Sequence, residues 1–185
     1  MKLIIYLSYF FFLSEFVLML LKRSKKASVS KRSDKGSLLI LWFSIIISLT
    51  AGFYISNYSL GSFANMIAYY PGLLIFLAGM ILRWSAILQL KKAFTVDVSV
   101  NKEHLLKTDG LYKKIRHPSY LGLILILTGL SVAMNNLISI LIIIISIFAA
   151  VSYRINIEEK LLAEEFGDSY ERYRADTRKI IPGIF

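Results

Sequence analysis

The stretch Ser119–Tyr153 reads SYLGLILILTGLSVAMNNLISILIIIISIFAAVSY and carries no charged residue. As one helix it would run about 52 Å at about 1.5 Å per residue, well past a hydrocarbon core of about 30 Å. Asn135-Asn136 stands at its middle. Asparagine is a poor helix former and tolerates turn conformations. The stretch therefore reads as two short antiparallel helices, Ser119–Met134 and Leu137–Tyr153, folded into a hairpin.

Three further runs have the length and character of spans: Leu3–Leu21, Leu38–Ser56 and Tyr70–Leu90. Pro71 suits the start of the third, where a missing N–H costs nothing. The first run competes with a cleaved signal peptide, since Lys2 precedes it. Its length, the basic cluster after it and the lack of a small-x-small cleavage site favour a span. The expectation is an all-α integral membrane protein with five transmembrane helices, the last two a short helical hairpin. A cytoplasmic C-terminal helical segment follows, and residues 1–185 form a single domain.

Composition agrees. The 185 residues are 56% hydrophobic, with no cysteine and two histidines, and the mean hydropathy is +0.61. Such long apolar blocks argue against a soluble globular enzyme and against intrinsic disorder. The missing cysteines exclude disulfides, thiolate nucleophiles and Cys-ligated metal sites. No two glycines lie two apart, so there is neither a dinucleotide fingerprint nor a Walker loop.

The net charge of +10 follows topology rather than a nucleic-acid partner. Every Lys and Arg except Lys2, Arg83 and Arg154 falls between spans 1 and 2, between spans 3 and 4, or in the tail beyond span 5. Residues 57–69 and the Asn135-Asn136 turn carry no charge. The Lys/Arg bias puts the N-terminus outside and all three basic segments in the cytoplasm. There they face anionic headgroups.

Two charges remain inside spans. Glu15 and Arg83 lie at similar depths, each several residues from the cytoplasmic end of its helix. A charge in hydrocarbon costs about 2.5–3.5 kcal/mol on insertion scales, so the two are expected to pair. Two cytoplasmic segments are richer than connectors need to be, Lys91–Pro118 and Arg154–Phe185. In the second, Glu158 to Glu165 have helical spacing, and Gly167 is placed as a C-cap. Tyr170, Tyr173 and Arg174 suggest a further short helix, ended by Pro182-Gly183. Glu159, Glu164 and Glu165 read as a solvated helix face. Tyr170 and Tyr173 read as packing of the last helix on the loop.

Three fragments stand together: Arg116-His117-Pro118-Ser119-Tyr120-Leu121-Gly122; His104-Leu105-Leu106 with Gly110-Leu111-Tyr112; and Arg154-x-x-x-Glu158-Glu159 with Phe166-Gly167-x-x-Tyr170-x-x-Tyr173 and Pro182-Gly183. In this order and spacing the chain resembles the isoprenylcysteine carboxyl methyltransferase family, related to the phospholipid N-methyltransferases. Leu82-Arg83-Trp84 and Ala93-Phe94-Thr95 are similar to that family's third span and following loop. The resemblance covers roughly residues 70–185.

The resemblance implies a membrane methyltransferase that uses S-adenosylmethionine and releases S-adenosylhomocysteine. Its acceptor would be lipid-like or prenylated. His104, Leu105, Leu106, Lys107 and Tyr112 match cofactor contacts of the family. So do His117, Pro118, Ser119 and Tyr120. Glu158 matches the acidic residue that holds the cofactor, and Arg154 the arginine assigned to the substrate carboxylate. Asp97-Val98-Ser99-Val100 departs from the glutamine contact of some members, and no role is transferred there.

The chemistry suits these residue types. A sulfonium methyl donor carries an ammonium, a carboxylate and an adenine, and needs no metal. Glu158 can meet the ammonium. The start of the fourth span can meet the carboxylate, because a helix N-terminus favours an anion. An acceptor carboxylate is already ionised at pH 7 and fits an arginine fork. Blander readings stand beside these. Arg154 and Glu158 could form an i,i+4 ion pair in its weaker orientation. His117 could be a helix-start residue, His104 a solvated loop residue, and Tyr120 an interface anchor. The rival functions are an N- or S-methyltransferase on a phospholipid or small molecule, a nicotinamide-dependent membrane reductase, and a non-catalytic membrane adaptor.

Overall fold

The computed structural model describes residues 2–21, 36–58, 60–63, 66–90 and 106–180. His104, Leu105, the 93–100 stretch, the basic run 22–35 and Pro182-Gly183 lie outside the described residues.

The described chain is all helical. Its elements are α1 (Lys2–Leu21), α2 (Gly36–Ser56), α3 (Tyr69–Leu90), a short 3-10 turn over Gly110–Lys113, α4 (Pro118–Ala133), α5 (Leu137–Phe166) and α6 (Asp168–Asp176). Helices α1, α2, α3 and α5 are long and apolar enough to cross a membrane, and α4 is a shorter apolar helix. α5 is 30 residues, about 45 Å, so its last third extends past a hydrocarbon core. Span and C-terminal helix are thus one continuous rod.

The Asn135-Asn136 break falls where the sequence puts it. Asn135 adopts a left-handed φ of 58°, which asparagine tolerates better than most residues. Asn136 is the N-cap of α5, and its side chain accepts the Ser139 N–H at 3.0 Å. The same two residues clasp the opposite connection. Asn135 Nδ2 donates to the Phe63 carbonyl at 2.7 Å, its Oδ1 accepts from Ala68 N at 3.1 Å, and Asn136 Nδ2 donates to the Leu60 carbonyl at 2.9 Å.

α5 packs between α2 and α4, and α4 between α5 and α3. α3 and α4 run antiparallel at close range because small residues line their seam. Gly72 and Gly79 on α3 face Gly129 and Gly122 on α4. A Cβ added at Gly122 would stand 2.6 Å from the Arg83 backbone nitrogen, so only glycine fits. The core is apolar, with Phe76, Ile126, Leu127, Ile143, Ile147 and Ile155 fully buried. α1 joins through Phe11 on Phe76, edge to face at 6.4 Å, and through the expected pair. Arg83 Nε and Nη2 reach the two oxygens of Glu15 at 2.6 Å each, a bidentate fork.

Candidate active site

At the end opposite the asparagine clasp, the start of α4, the far part of α5 and the segment after α6 converge. Backbone pairing sets this up. Arg116 N donates to the Arg178 carbonyl at 2.8 Å, His117 N to Lys179 O at 3.1 Å, and Arg178 N to Lys114 O at 3.1 Å. Residues 114–117 and 178–179 therefore lie side by side in strand-like fashion. Pro118 is the first residue of α4, and His117 is its N-cap. Pro118 and Ser119 are both buried there.

The first group of charges centres on Glu159. Arg116 Nε donates to its Oε1 at 2.8 Å, His117 Nε2 approaches the same oxygen at 3.3 Å, and Lys179 Nζ lies 3.4 Å from Oε2. Arg116 also donates through Nη1 to the Thr177 carbonyl at 2.6 Å and the Arg174 carbonyl at 3.1 Å. Burial alone would raise the Glu159 carboxyl. The hydrogen bonds from His117 and Arg116 outweigh it and hold the group at about 2. Glu159 is thus no part of a solvated face, as its sequence neighbourhood suggests; it is buried and ties α4, α5 and the tail together. Glu164 keeps the exposed position expected of it, and Glu165 is half-buried.

The second group is a chain of three side chains. Arg154 Nε donates to the Tyr120 hydroxyl at 2.8 Å, and that hydroxyl donates to Glu158 Oε2 at 2.8 Å. Arg154 Nη1 donates to Ser37 Oγ at 3.0 Å. Arg154 is buried, whereas the Glu158 side chain keeps 31% of its surface. Arg154 and Glu158 stand one turn apart on α5, but the phenol of Tyr120 is interposed between them. Neither the simple i,i+4 pair nor a purely interfacial Tyr120 describes this arrangement. His117 links the two groups: its Nδ1 lies 4.0 Å from Glu158 Oε1, and its ring is 5.8 Å from that of Tyr120.

Tyr112 forms the flank. Its hydroxyl donates to the Ala86 carbonyl of α3 at 3.3 Å, and its own carbonyl accepts from the Tyr173 hydroxyl at 2.7 Å. Burial, and then the Glu158 charge, push its phenol up. Tyr173 thereby packs α6 on the loop as the sequence suggests. Tyr170 is fully buried, and no hydrogen-bond partner for its hydroxyl is found among the described residues. Burial raises that phenol too. Leu106 is half-buried. Lys107 Nζ sits 2.7 Å from the exposed Asp109 carboxylate, at the surface.

Arg154, Glu158, Tyr120, His117 and the Pro118-Ser119 turn therefore come together, with Tyr112 beside them. Ser37 and Glu159 were not marked by their sequence context. Ser37 carries no such signal. Nor does Glu159: the fully buried line Ile143, Ile147, Val151, Ile155 steps by four residues onto it, but α5 carries no charge on any face before Arg154, so the sequence alone does not show which face is inside.

Comparison with known proteins adds an independent line. The profile of the isoprenylcysteine carboxyl methyltransferase (ICMT) family matches residues 72–164. A protein-S-isoprenylcysteine O-methyltransferase of Schizosaccharomyces pombe is 41% identical over 108 residues, covering 57% of this chain and 46% of the relative. Protein-S-isoprenylcysteine O-methyltransferase B of Arabidopsis thaliana is 35% identical over 115 residues, covering 61% and 58%. The chain spans about half the length of these curated relatives. Among solved structures, the eukaryotic intramembrane Ras methyltransferase ICMT superposes with a TM-score of 0.58 at 28% identity. That match covers 80% of this chain and 51% of the other.

Proposed function

This chain belongs to the isoprenylcysteine carboxyl methyltransferase (ICMT) family, and from that premise we propose that it is a membrane-embedded, S-adenosylmethionine-dependent carboxyl methyltransferase. Its acceptor is the carboxylate of a lipid-tailed, isoprenylcysteine-like molecule or peptide. The observation that carries this reading is the Arg154–Tyr120–Glu158 chain. It puts a buried guanidinium and a partly exposed carboxylate on either side of one hydroxyl, at 2.8 Å each. Two opposite charges held apart suit two ligands of opposite need.

The methyl donor has an ammonium and a carboxylate on the same carbon. The residues fit it. Glu158 Oε1 lies 4.0 Å from His117 Nδ1, and His117 precedes the first turn of α4. An anion for the ammonium thus stands beside a helix N-terminus for the carboxylate. When bound, S-adenosylmethionine supplies an electrophilic methyl group that a carboxylate oxygen takes without first losing a proton. Glu158 holds the ammonium, while His117, Pro118, Ser119 and Tyr120 form the turn around the carboxylate. Tyr112 and Leu106 supply apolar wall and Lys107 the loop side; His104 and Leu105, outside the described residues, are assigned to the cofactor by the family resemblance alone. Arg154 grips the acceptor carboxylate and aims it. No group need act as a base, so catalysis rests on positioning and exclusion of water.

We read the membrane arrangement as five spans in a single domain, α4 being the short one. The N-terminus is outside, and the C-terminus and site are cytoplasmic, in a plasma membrane if prokaryotic or endoplasmic reticulum if eukaryotic. The Lys/Arg distribution supports this orientation. The acceptor enters from the bilayer and the donor from water; no nucleic acid takes part.

The test is methyl uptake by purified protein from labelled S-adenosylmethionine onto a farnesylcysteine analogue, run beside phosphatidylethanolamine and a small thiol. Label in a base-labile ester on the prenylcysteine, absent from the other two, is the expected result. Label only in lipid amine or thiol would move the protein to the rival acceptor class.

A further inference from the structure

The Glu15–Arg83 pair does more than neutralise two charges in the bilayer. Arg83 uses Nε and Nη2 on Glu15, at 2.6 Å each, and spends its remaining nitrogen elsewhere: Nη1 donates to the backbone carbonyl of Ser119 at 3.0 Å. That carbonyl belongs to the first turn of α4, and to the same peptide unit as the Tyr120 nitrogen. Fixing the Ser119 oxygen fixes the peptide plane from which the Tyr120 side chain springs. At the end of that long side chain the hydroxyl must meet both Arg154 and Glu158 at 2.8 Å. A small rotation of the first turn becomes a larger displacement there.

The surroundings make this a built contact. Arg83 and Glu15 are both buried. The Arg83 backbone is pressed against α4 at Gly122, where an added Cβ would lie 2.7 Å from the Arg83 Cα. Only a guanidinium can chelate a carboxylate with two nitrogens and donate in the same plane with a third. Lysine would keep the charge pair but could not hold this three-point geometry. Glu15, from α1, aims the fork.

We propose that Arg83, aimed by Glu15, is a positioning residue for methyl transfer: by holding the Ser119 carbonyl it sets the first turn of α4 and, through it, the Tyr120 hydroxyl between Arg154 and Glu158. This rests on the functional reading above, and its test has one arm that does not need activity. Arg83→Lys and the charge-free double variant Glu15→Gln/Arg83→Met are compared with wild type in nanodiscs. Turnover of a farnesylcysteine acceptor is counted per S-adenosylhomocysteine-binding site, so that loss of folded protein does not register. Both variants are expected to lose about ten- to a hundredfold in kcat with little change in acceptor KM. The other arm is NMR of protein labelled at tyrosine Cζ, with the Tyr120 signal identified by its absence in Tyr120→Phe. That signal is expected to shift in both variants. Wild-type turnover per binding site in either folded variant, or an unmoved Tyr120 resonance, overturns the proposal. Absence of methyl transfer by wild type overturns the enzymatic reading alone, and the resonance still decides the positioning role.

Discussion

The two ends of the helical bundle are closed by different chemistry. At one end, Asn135 and Asn136 clasp the connection between α2 and α3 through neutral amides, and their partners are mostly backbone groups. At the other, Arg116, His117, Glu159 and Lys179 form an ionic knot, and Arg154, Tyr120 and Glu158 a charged chain beside it. Both ends solve one problem, which is that polar backbone at a helix terminus needs partners when buried. The amide end solves it with groups that carry no charge and offer a ligand nothing. The ionic end also keeps part of the Glu158 carboxylate open and a Tyr170 hydroxyl without a partner among the described residues. A network that satisfies itself fully holds a fold; one that leaves capacity unused can bind.

Glu159→Gln gives the largest expected change. It removes one charge from between Arg116, His117 and Lys179, and breaking a buried pair costs about 3–5 kcal/mol. Partial access of Lys179 to water brings the expectation to roughly 2–4 kcal/mol. Chemical denaturation in mixed micelles would read it, and a loss no greater than that of an exposed Glu164→Gln control would break the contrast between the ends.

Tyr120→Phe comes next. It removes both hydrogen bonds of the charged chain and lets Arg154 and Glu158 close on each other. Turnover is expected to fall about ten- to a hundredfold, with weaker binding of S-adenosylhomocysteine, since the acid is then occupied by the arginine. Unchanged binding by calorimetry would mean that the phenol is no spacer.

Asn136→Ala tests the neutral end. Loss of the α5 cap and of the bond to the Leu60 carbonyl should cost about 1–2 kcal/mol. Turnover per folded molecule should stay at the wild-type value. A kinetic defect there would show that the two ends are coupled.

A further test is in acid. The Glu159 carboxyl is held at about 2 against an ordinary 4.5. A group depressed on folding contributes stability that is complete above the ordinary value and is lost as pH falls toward the depressed one. Wild type should therefore lose stability between about pH 4.5 and 2 more steeply than Glu159→Gln, with the two curves parallel near neutrality. Identical slopes through that window would remove Glu159 from the acid response.

The same contrast explains what could be read from sequence. Helix positions are legible because apolar length and breakers are local: the Asn135-Asn136 turn and the Gly167 cap each sit where the sequence puts them. The Glu15–Arg83 pair was legible because two charges in apolar helices leave each other as the cheapest partner. Glu159 looked like its neighbours Glu164 and Glu165, because local polarity does not reveal an arginine that approaches from residue 116. The four-residue step of buried positions along α5 that reaches it shows only in the structure. Ser37 and the interposed phenol of Tyr120 depend on how α2, α4 and α5 meet, and no local pattern encodes that.

The central claim is that Glu158 and Arg154, one turn apart, serve two different ligands. Glu158→Gln and Arg154→Ala separate it directly when each is measured for S-adenosylhomocysteine affinity by calorimetry and for methyl transfer to a farnesylcysteine acceptor. On that claim, Glu158→Gln weakens S-adenosylhomocysteine about tenfold or more. Arg154→Ala leaves that affinity largely intact while methyl transfer falls about a hundredfold or more. Wild-type affinity in Glu158→Gln, or wild-type turnover in Arg154→Ala, would contradict it.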